Sequence, residues 1–374
     1  MRTLWIWFLA LATTFGQGDS FPQAPAVNLP KPPPDAPERI EMTRVQIVLD
    51  RSGFRPGKID GLGGEFTQRA ADRYGQANGM PLGSRIDTSA IPQPYREYTI
   101  REDDLAWVGP QASSPAAQEK LKGLKYADLW EFVAERFHCD LGFLKELNPG
   151  VTTPEPGTVL RVPDVEEFRM EDVSVLEKQR REEEKARKAA EKAYKEWEAA
   201  RQKAAQAPPP APDAPPTATP APPPPTPSPT PEPPNRKVVL LRKERILEVH
   251  EDGRLIASFP CTPGSARVPV PTGTWKVTGN VLLPYYRWDK SVLESGVRSE
   301  NAFNLPPGPN SPVGIVWIAI NRPSVGMHGT MWPDQIGRNE SSGCIRLANW
   351  DAFLLSQLVT KGTPVEVPEI PADT

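Results

Sequence analysis

At 374 residues the chain exceeds what one hydrophobic core normally serves, so two or three domains are expected. A formal net charge of −3 provides no basic field, which argues against a nucleic-acid partner. The 47 prolines exceed ordinary usage and gather in linkers, while three cysteines are too few for a disulfide scaffold and leave an odd thiol, for which Cys344 is the candidate.

Residues 1–18 read as an export signal: Arg2 precedes an apolar run from Leu4 to Ala12, and small and polar residues follow. The run is too short to span a bilayer; the alternative is an N-terminal anchor that stays uncleaved. No other stretch is long and apolar enough to cross a membrane, so the mature protein is expected to be exported, to a periplasm or cell wall. Residues 19–38 are a Pro-rich lead-in, extended or disordered.

Residues 39–85 read as a small α-helical module. Val45, Val48 and Leu49 share one helical face, and Gly53 ends that helix. Turns follow at Phe54-Arg-Pro-Gly57 and Asp60-Gly61, and Thr67 is placed to cap a second helix that presents Ala70, Ala71 and Tyr74 inward. The run from Gln46 through Gly53, Gly57 and Asp60-Gly61 to Thr67 resembles the three-helix peptidoglycan-binding module attached to wall hydrolases. Asp60-Gly61 itself is a tight turn and is assigned no ligand contact.

Residues 96–165 read as a second accessory unit, of α+β type. A strand at 98–100 precedes a helix capped by Asp128 with Glu131, which carries Leu129, Phe132, Val133 and Phe137 on one face. A shorter helix holds Leu141, Leu144 and Leu147, Asn148-Pro-Gly150 closes it, and 157–163 ends the unit as a strand. This order, with Leu147-Asn-Pro-Gly150 and the closing Val162-Pro163, resembles a LysM glycan-binding fold; an insertion at 109–123 departs from it. His138 and Cys139 are adjacent, so they cannot comfortably share a metal, and they read as structural.

Residues 173–206 form a long charged helix with favourable pairs Glu177–Arg181, Glu183–Arg187, Glu184–Lys188 and Glu191–Lys195. It is either a solvated single helix, about 50 Å long at 1.5 Å per residue, or a coiled coil that dimerises the protein. The Pro-rich linker at 207–234 reads as polyproline II, reaching ~85 Å at 3.1 Å per residue. Such a tether would let a catalytic domain sweep widely while the N-terminal modules hold the wall.

Residues 235–370 carry short strand signals at 237–241, 246–250, 255–259, 273–277, 315–320 and 363–367, separated by Gly/Pro turns. They indicate a mostly-β sandwich or barrel. One helix opens at Asn349 or Asp351 and runs to a stop at Gly362. Cys261 follows a strand without a His partner and reads as a packed thiol, with a bridge to Cys139 as the alternative; His250 reads as surface-exposed.

The chemistry concentrates in Gly326-Met-His-Gly-Thr330 and Ser341-Ser-Gly-Cys-Ile-Arg-Leu347. A thiol is mostly protonated at neutral pH, and a neighbouring imidazole can take its proton and later return one to a leaving amine. Gly343 leaves room for a substrate backbone, and N–H groups around Gly343 and Cys344 can face a developing oxyanion. The bland alternative is a buried structural cysteine beside a capped helix. The whole string resembles the active-site signature of the L,D-transpeptidases, the YkuD-like family. Val270-Pro-Thr-Gly273, Leu305-Pro-Pro-Gly-Pro-Asn-Ser-Pro-Val-Gly314 and Asp351 resemble further patches of it.

That resemblance implies a C-terminal L,D-transpeptidase-type domain: a cysteine acyltransferase acting on peptidoglycan stem peptides, with no metal and no organic cofactor. By position, Cys344 is its nucleophile, His328 the general base, and the Gly329 carbonyl orients the imidazole. Arg346, Ser341 and Ser342 fall on the substrate side; Ser342 stands where many members carry His. Arg346 either holds a substrate carboxylate or braces the loop. The implied product is a 3→3 cross-link. The alternatives are an L,D-carboxypeptidase, in which water resolves the thioester, and a non-catalytic wall-binding scaffold.

Overall fold

A computed structural model describes residues 31–206, 234–265, 268–295, 297–338 and 343–370. The expected export signal, most of the Pro-rich lead-in and nearly all of the Pro-rich linker lie outside the described residues, as do Ser341 and Ser342.

The first unit is a helix pair, α1 (Pro37–Arg51) and α2 (Glu65–Ala77). Pro37 opens α1, where a missing N–H costs no intrahelical bond. Buried Gln46 organises the connection. Its Nε2 donates to Asp60 Oδ1 (2.9 Å) and the Leu62 carbonyl (3.0 Å), and its Oε1 accepts from Gly61 N–H (2.9 Å). Two expectations are corrected here. Gly64, not Thr67, precedes α2, and Thr67 sits inside the helix with its hydroxyl 3.3 Å from Gln46 Nε2. Among the described residues, 39–85 hold two helices rather than three, because Asn78, Gly79, Pro81 and Gly83 interrupt the chain after α2.

The second unit contains β1 (Tyr95–Thr99), a 3-10 turn (Glu102–Trp107), α3 (Pro115–Gln118), α4 (Leu129–Arg136), α5 (Leu141–Leu147) and β2 (Val159–Pro163). β1 and β2 pair antiparallel, Tyr98 opposite Leu160. Asp128 Oδ1 accepts from Glu131 N–H (2.8 Å), while the Glu131 carboxylate reaches back one residue further, to Ala127 N–H (2.5 Å). The long helix α6 (Met170–Ala205) begins inside the core, through Met170 and Val173, and Arg180 donates to the Ser356 carbonyl (3.2 Å). It is therefore not a solvated helix along its whole length. Arg187 pairs with Glu184 (2.7 Å) rather than with Glu183, whereas Lys195 pairs with Glu191 (2.8 Å).

The C-terminal unit contains β3 (Arg236–Leu241), β4 (Ile246–Glu251), β5 (Arg254–Pro260), β6 (Thr262–Pro263), β7 (Gly273–Leu282), β8 (Tyr286–Trp288), α7 (Lys290–Ser295), β9 (Phe303–Leu305), β10 (Val316–Ile320), β11 (Gly326–His328), β12 (Ile345–Arg346), α8 (Asn349–Leu358) and β13 (Pro364–Val367). Nine strands form one sheet in the order β5-β4-β3-β13-β7-β10-β11-β12-β6, and β8 with β9 makes a separate hairpin. The two edge strands, β5 and β6, are joined by Cys261 alone, so the sheet curls until its edges nearly meet. The helix α8 follows Ala348 without a side-chain cap and ends at Leu358. Asn349 and Asp351 are buried instead of capping, and Gly362 lies in the next turn. Cys139 and Cys261 are buried free thiols, which removes the bridge between them. His250 is half-buried against Glu248 (3.0 Å) rather than exposed.

The accessory units are docked on this domain. Arg55 N–H donates to the Ser258 carbonyl (2.8 Å) and Ser258 N–H to the Gly53 carbonyl (3.1 Å), so the turn after α1 covers the β5 edge. Leu124 N–H donates to the Pro307 carbonyl (3.0 Å), and Asn310 N–H to the Leu124 carbonyl (2.9 Å). Between these contacts lies a buried charge cluster. Arg55 pairs with Asp50 (2.5 Å) and lies 3.5 Å from Asp351, while His138 Nδ1 approaches Asp50 (3.0 Å) and its ring stacks on Trp350. Burial works to raise the Asp50 carboxyl, but Arg55 and His138 bring it down to about 2; burial raises Asp351 to about 8. The free sweep expected of a tethered catalytic domain gives way to fixed seating. His138 is structural, and it serves this interface.

Among the described residues, no helix is long and apolar enough to cross a membrane. Replacing Arg55 by Met strands the buried Asp50 carboxylate, and urea unfolding is expected to show a loss of about 3 kcal/mol. An unchanged midpoint would mean that the cluster does not hold the units together.

Candidate active site

Two very short strands build the site. β11 and β12 pair parallel, with Met327 opposite Ile345 and His328 opposite Arg346. Side chains alternate faces along a strand, so fully buried Met327 and Ile345 enter the core while His328 and Arg346 share the other face. Cys344 immediately precedes β12 and lies within reach of the Gly326 backbone and of the Arg346 charge. On the far side β10 places Trp317 opposite His328, and the two rings stack 5.4 Å apart. The register thus sets an imidazole opposite a guanidinium, and the guanidinium acts on the thiol as well.

Main-chain groups orient the imidazole and the thiol. His328 Nδ1 lies 2.6 Å from the Gly329 carbonyl, which can only accept, so Nδ1 carries the proton and Nε2 is left as the base. The Cys344 thiol donates to the Ser324 carbonyl (3.6 Å), and the Gly326 N–H supports its thiolate form. Gly343 adopts φ +99°, a left-handed conformation that disfavours side chains, and its α-carbon faces Val268.

Burial pushes the His328 imidazole down to about 4; the bond to Gly329 opposes this and Arg346 adds to it. Burial raises the Cys344 thiol, opposed by the Gly326 N–H and by Arg346. The resting pair is therefore a neutral thiol and a neutral imidazole, not a standing ion pair. Arg346 acts electrostatically on both members.

The loop between His328 and Cys344 is held partly from outside the domain. Lys58 pairs with Asp334, and Phe66 packs on Gly337, where a Cβ would collide with its ring. Gly337 N–H also donates to Thr262 Oγ1 (2.9 Å).

Among the described residues, His328 adjoins Gly329 and stands opposite Arg346, and Arg346 acts on Cys344, which follows Gly343 in the chain. Two residues emerge that motif reading missed. Tyr286, on β8, is half-buried within electrostatic range of Cys344 and Arg346, and its only trace in the sequence is the aromatic run Tyr285-Tyr-Arg-Trp288. Asn349, read as a helix opener, is fully buried behind Gly329. Trp332 is exposed just beyond Thr330, whose Oγ1 accepts from its N–H (3.2 Å).

The C-terminal part of the chain is similar to known proteins. A Bacillus licheniformis protein provisionally named L,D-transpeptidase YkuD is 28% identical over 123 residues, 33% of this chain and 59% of that protein. The Escherichia coli protein provisionally named L,D-transpeptidase ErfK/SrfK is 30% identical over 146 residues, 36% of this chain and 44% of its own length. The chain thus spans about half the length of these curated relatives. A solved L,D-transpeptidase from Mycobacterium smegmatis shares 21% identity over 36% of this chain and 59% of that one, at a TM-score of 0.30, too low to support an argument from shape. The strand pairing and the candidate site fall within residues 234–367, which match the family model of the YkuD L,D-transpeptidase catalytic domain.

Proposed function

We propose that the protein is an exported L,D-transpeptidase that cross-links peptidoglycan through a Cys344 thioester. One observation carries the reading: the parallel register that sets His328 opposite Arg346, whose charge also reaches Cys344 just before the same strand. The thiol sulfur attacks the carbonyl carbon of the third, L-centred residue of a donor stem peptide while His328 Nε2 takes the S–H proton. Proton transfer accompanies attack, because neither partner is ionised beforehand. The tetrahedral intermediate collapses to a thioester as the imidazolium protonates the departing amine of the terminal D-amino acid. An amine of a neighbouring stem then attacks the thioester, gives its proton to Nε2, and releases the thiol with a 3→3 cross-link formed.

The Gly329 carbonyl holds Nδ1 and so leaves Nε2 to act as the base, and the Arg346 charge favours the thiolate and a substrate carboxylate alike. Ser341 and Ser342 belong to the same reading as substrate-side residues, by their place in the motif. Export to the periplasm or cell wall follows from where such a substrate lies, and the two accessory units would add contacts to glycan. No metal or organic cofactor takes part in these steps.

Product analysis with purified muropeptides tests the assignment. Cross-linked dimers are expected from the wild type and none from Cys344→Ser, while His328→Gln should lose about a hundredfold or more in rate. Turnover undiminished in Cys344→Ser would rule out the thioester. Tripeptide without dimers would make the enzyme a carboxypeptidase, and no turnover at all, with binding to sacculi, a scaffold.

The pH dependence follows from the depressed imidazole. A base that stays neutral above about 4 keeps its capacity through neutral pH, so acylation by a carbapenem is expected to be nearly flat from about pH 6 to 8 and to fall below about pH 5. A rate climbing about tenfold per unit from pH 6 to 9 would instead indicate simple thiol ionisation without help from His328.

A further inference from the structure

Behind the catalytic face, a carboxyl from the second accessory unit touches the catalytic domain at the residue that supports Gly329. Glu135, on α4, is buried, and its Oε1 accepts from Asn349 Nδ2 (2.9 Å) and from the Tyr126 hydroxyl (2.8 Å). Asn349 Nδ2 also donates to the Pro309 carbonyl (3.2 Å), and its Oδ1 accepts from Ile315 N–H (3.2 Å). Two acceptors on one side and one donor on the other fix which way the amide faces.

That orientation matters to the site. Asn349 Oδ1 is pressed against the α-carbons of Gly314 and Gly329; a Cβ on either glycine would run into it. The next main-chain group is the Gly329 carbonyl, which accepts from His328 Nδ1 (2.6 Å). The chain of contact runs from Tyr126 and Glu135, through Asn349, to Gly329 and the imidazole. Neighbouring contacts hold α4 in place there: Glu131 Oε2 accepts from Asn310 Nδ2 (3.2 Å), and Leu124 pairs with Pro307 and Asn310.

We infer that Glu135 is a positioning residue for the His328–Cys344 pair, acting through the Asn349 amide, so that the accessory unit completes the catalytic domain. The inference rests on the acyl-transfer reading above. The acceptor oxygen of Glu135 fixes the amide, the amide fixes Gly329, and Gly329 fixes the direction of Nε2. Burial raises the Glu135 carboxyl to about 8, against the hydrogen bonds from Asn349 and Tyr126, so a neutral amide in its place preserves the local electrostatics.

The test uses the full chain and reads the rate of Cys344 alkylation by iodoacetamide against pH, with peptide mapping to exclude the buried Cys139 and Cys261. The kcat and KM for acylation by a carbapenem are measured alongside. Glu135→Gln keeps an acceptor and is expected to stay within about twofold of the wild type. Glu135→Ala should lose about tenfold in alkylation at pH 7 and in kcat, with KM changed less than about twofold and a pH profile closer to that of a free thiol. Glu135→Met fills the volume without an acceptor and carries the same expectation should the Ala variant fail to fold.

Wild-type reactivity in both the Ala and Met variants would overturn the inference, as would an equal loss in the Gln variant. A wild-type profile that is already that of a free thiol would instead defeat the acyl-transfer reading.

Discussion

Two residue pairs, Met327 with Ile345 and His328 with Arg346, carry the architecture of the site. Strands this short hold few hydrogen bonds, so their register must be fixed by what lies beneath and beside them. Beneath them Met327 and Ile345 are sealed in the core; beside them β10 contributes Trp317 and β6 pairs with β12. A slip of one residue would turn His328 into the core and Met327 toward solvent, exchanging a buried apolar side chain for an imidazole. The site is thus specified by hydrophobic patterning before any catalytic group is considered.

The second constraint is the seating of the accessory units. They cover the β5 edge, pin the loop between His328 and Cys344 through Lys58 and Phe66, and bury Trp350 and Asp351 at the head of α8. Buried ion pairs such as Asp50–Arg55, here with the Asp351 carboxyl beside them, cost desolvation and add little net stability, but they penalise wrong seating strongly. Hydrogen-bonded groups at this interface are also matched in direction, donor to acceptor, which favours one relative orientation over its neighbours. The long helix α6 leaves this body after Arg180 and carries the chain outward.

Much of this was legible from the residues. The strands expected at 237–241, 246–250 and 255–259 lie within one residue of β3, β4 and β5; burial alternates along β3, whereas β4 and β5 are buried in runs and are set off by the turns beside them. The strand at 273–277 was read five residues short, since Gly279 and exposed Val281 obscure the pattern that β7 continues to Leu282. The motif singles out His328 and Arg346, and the parallel register sets those two opposite each other. Tyr286, Asn349 and Glu135 escape such reading, because their contacts join distant segments and leave no local pattern. The docking was invisible for the same reason. A proline-rich linker implies mobility, and nothing in Asp50, Arg55 or His138 taken singly announces a partner three hundred residues away on the scale of the chain. Capping residues misled as well: Thr67, Asn349 and Asp351 are cap formers drawn inward by buried partners, where tertiary contacts outweigh local preference.

The most direct measurement of the central claim is intact-mass spectrometry of the full chain mixed with a tetrapeptide-bearing muropeptide, quenched within seconds and mapped by proteolysis. An acyl adduct corresponding to the donor less its terminal D-amino acid, located on the peptide containing Cys344 and discharged by an added amine, is the predicted result. An unmodified Cys344 during steady turnover, or an adduct carried on Cys139 or Cys261 instead, would contradict the account.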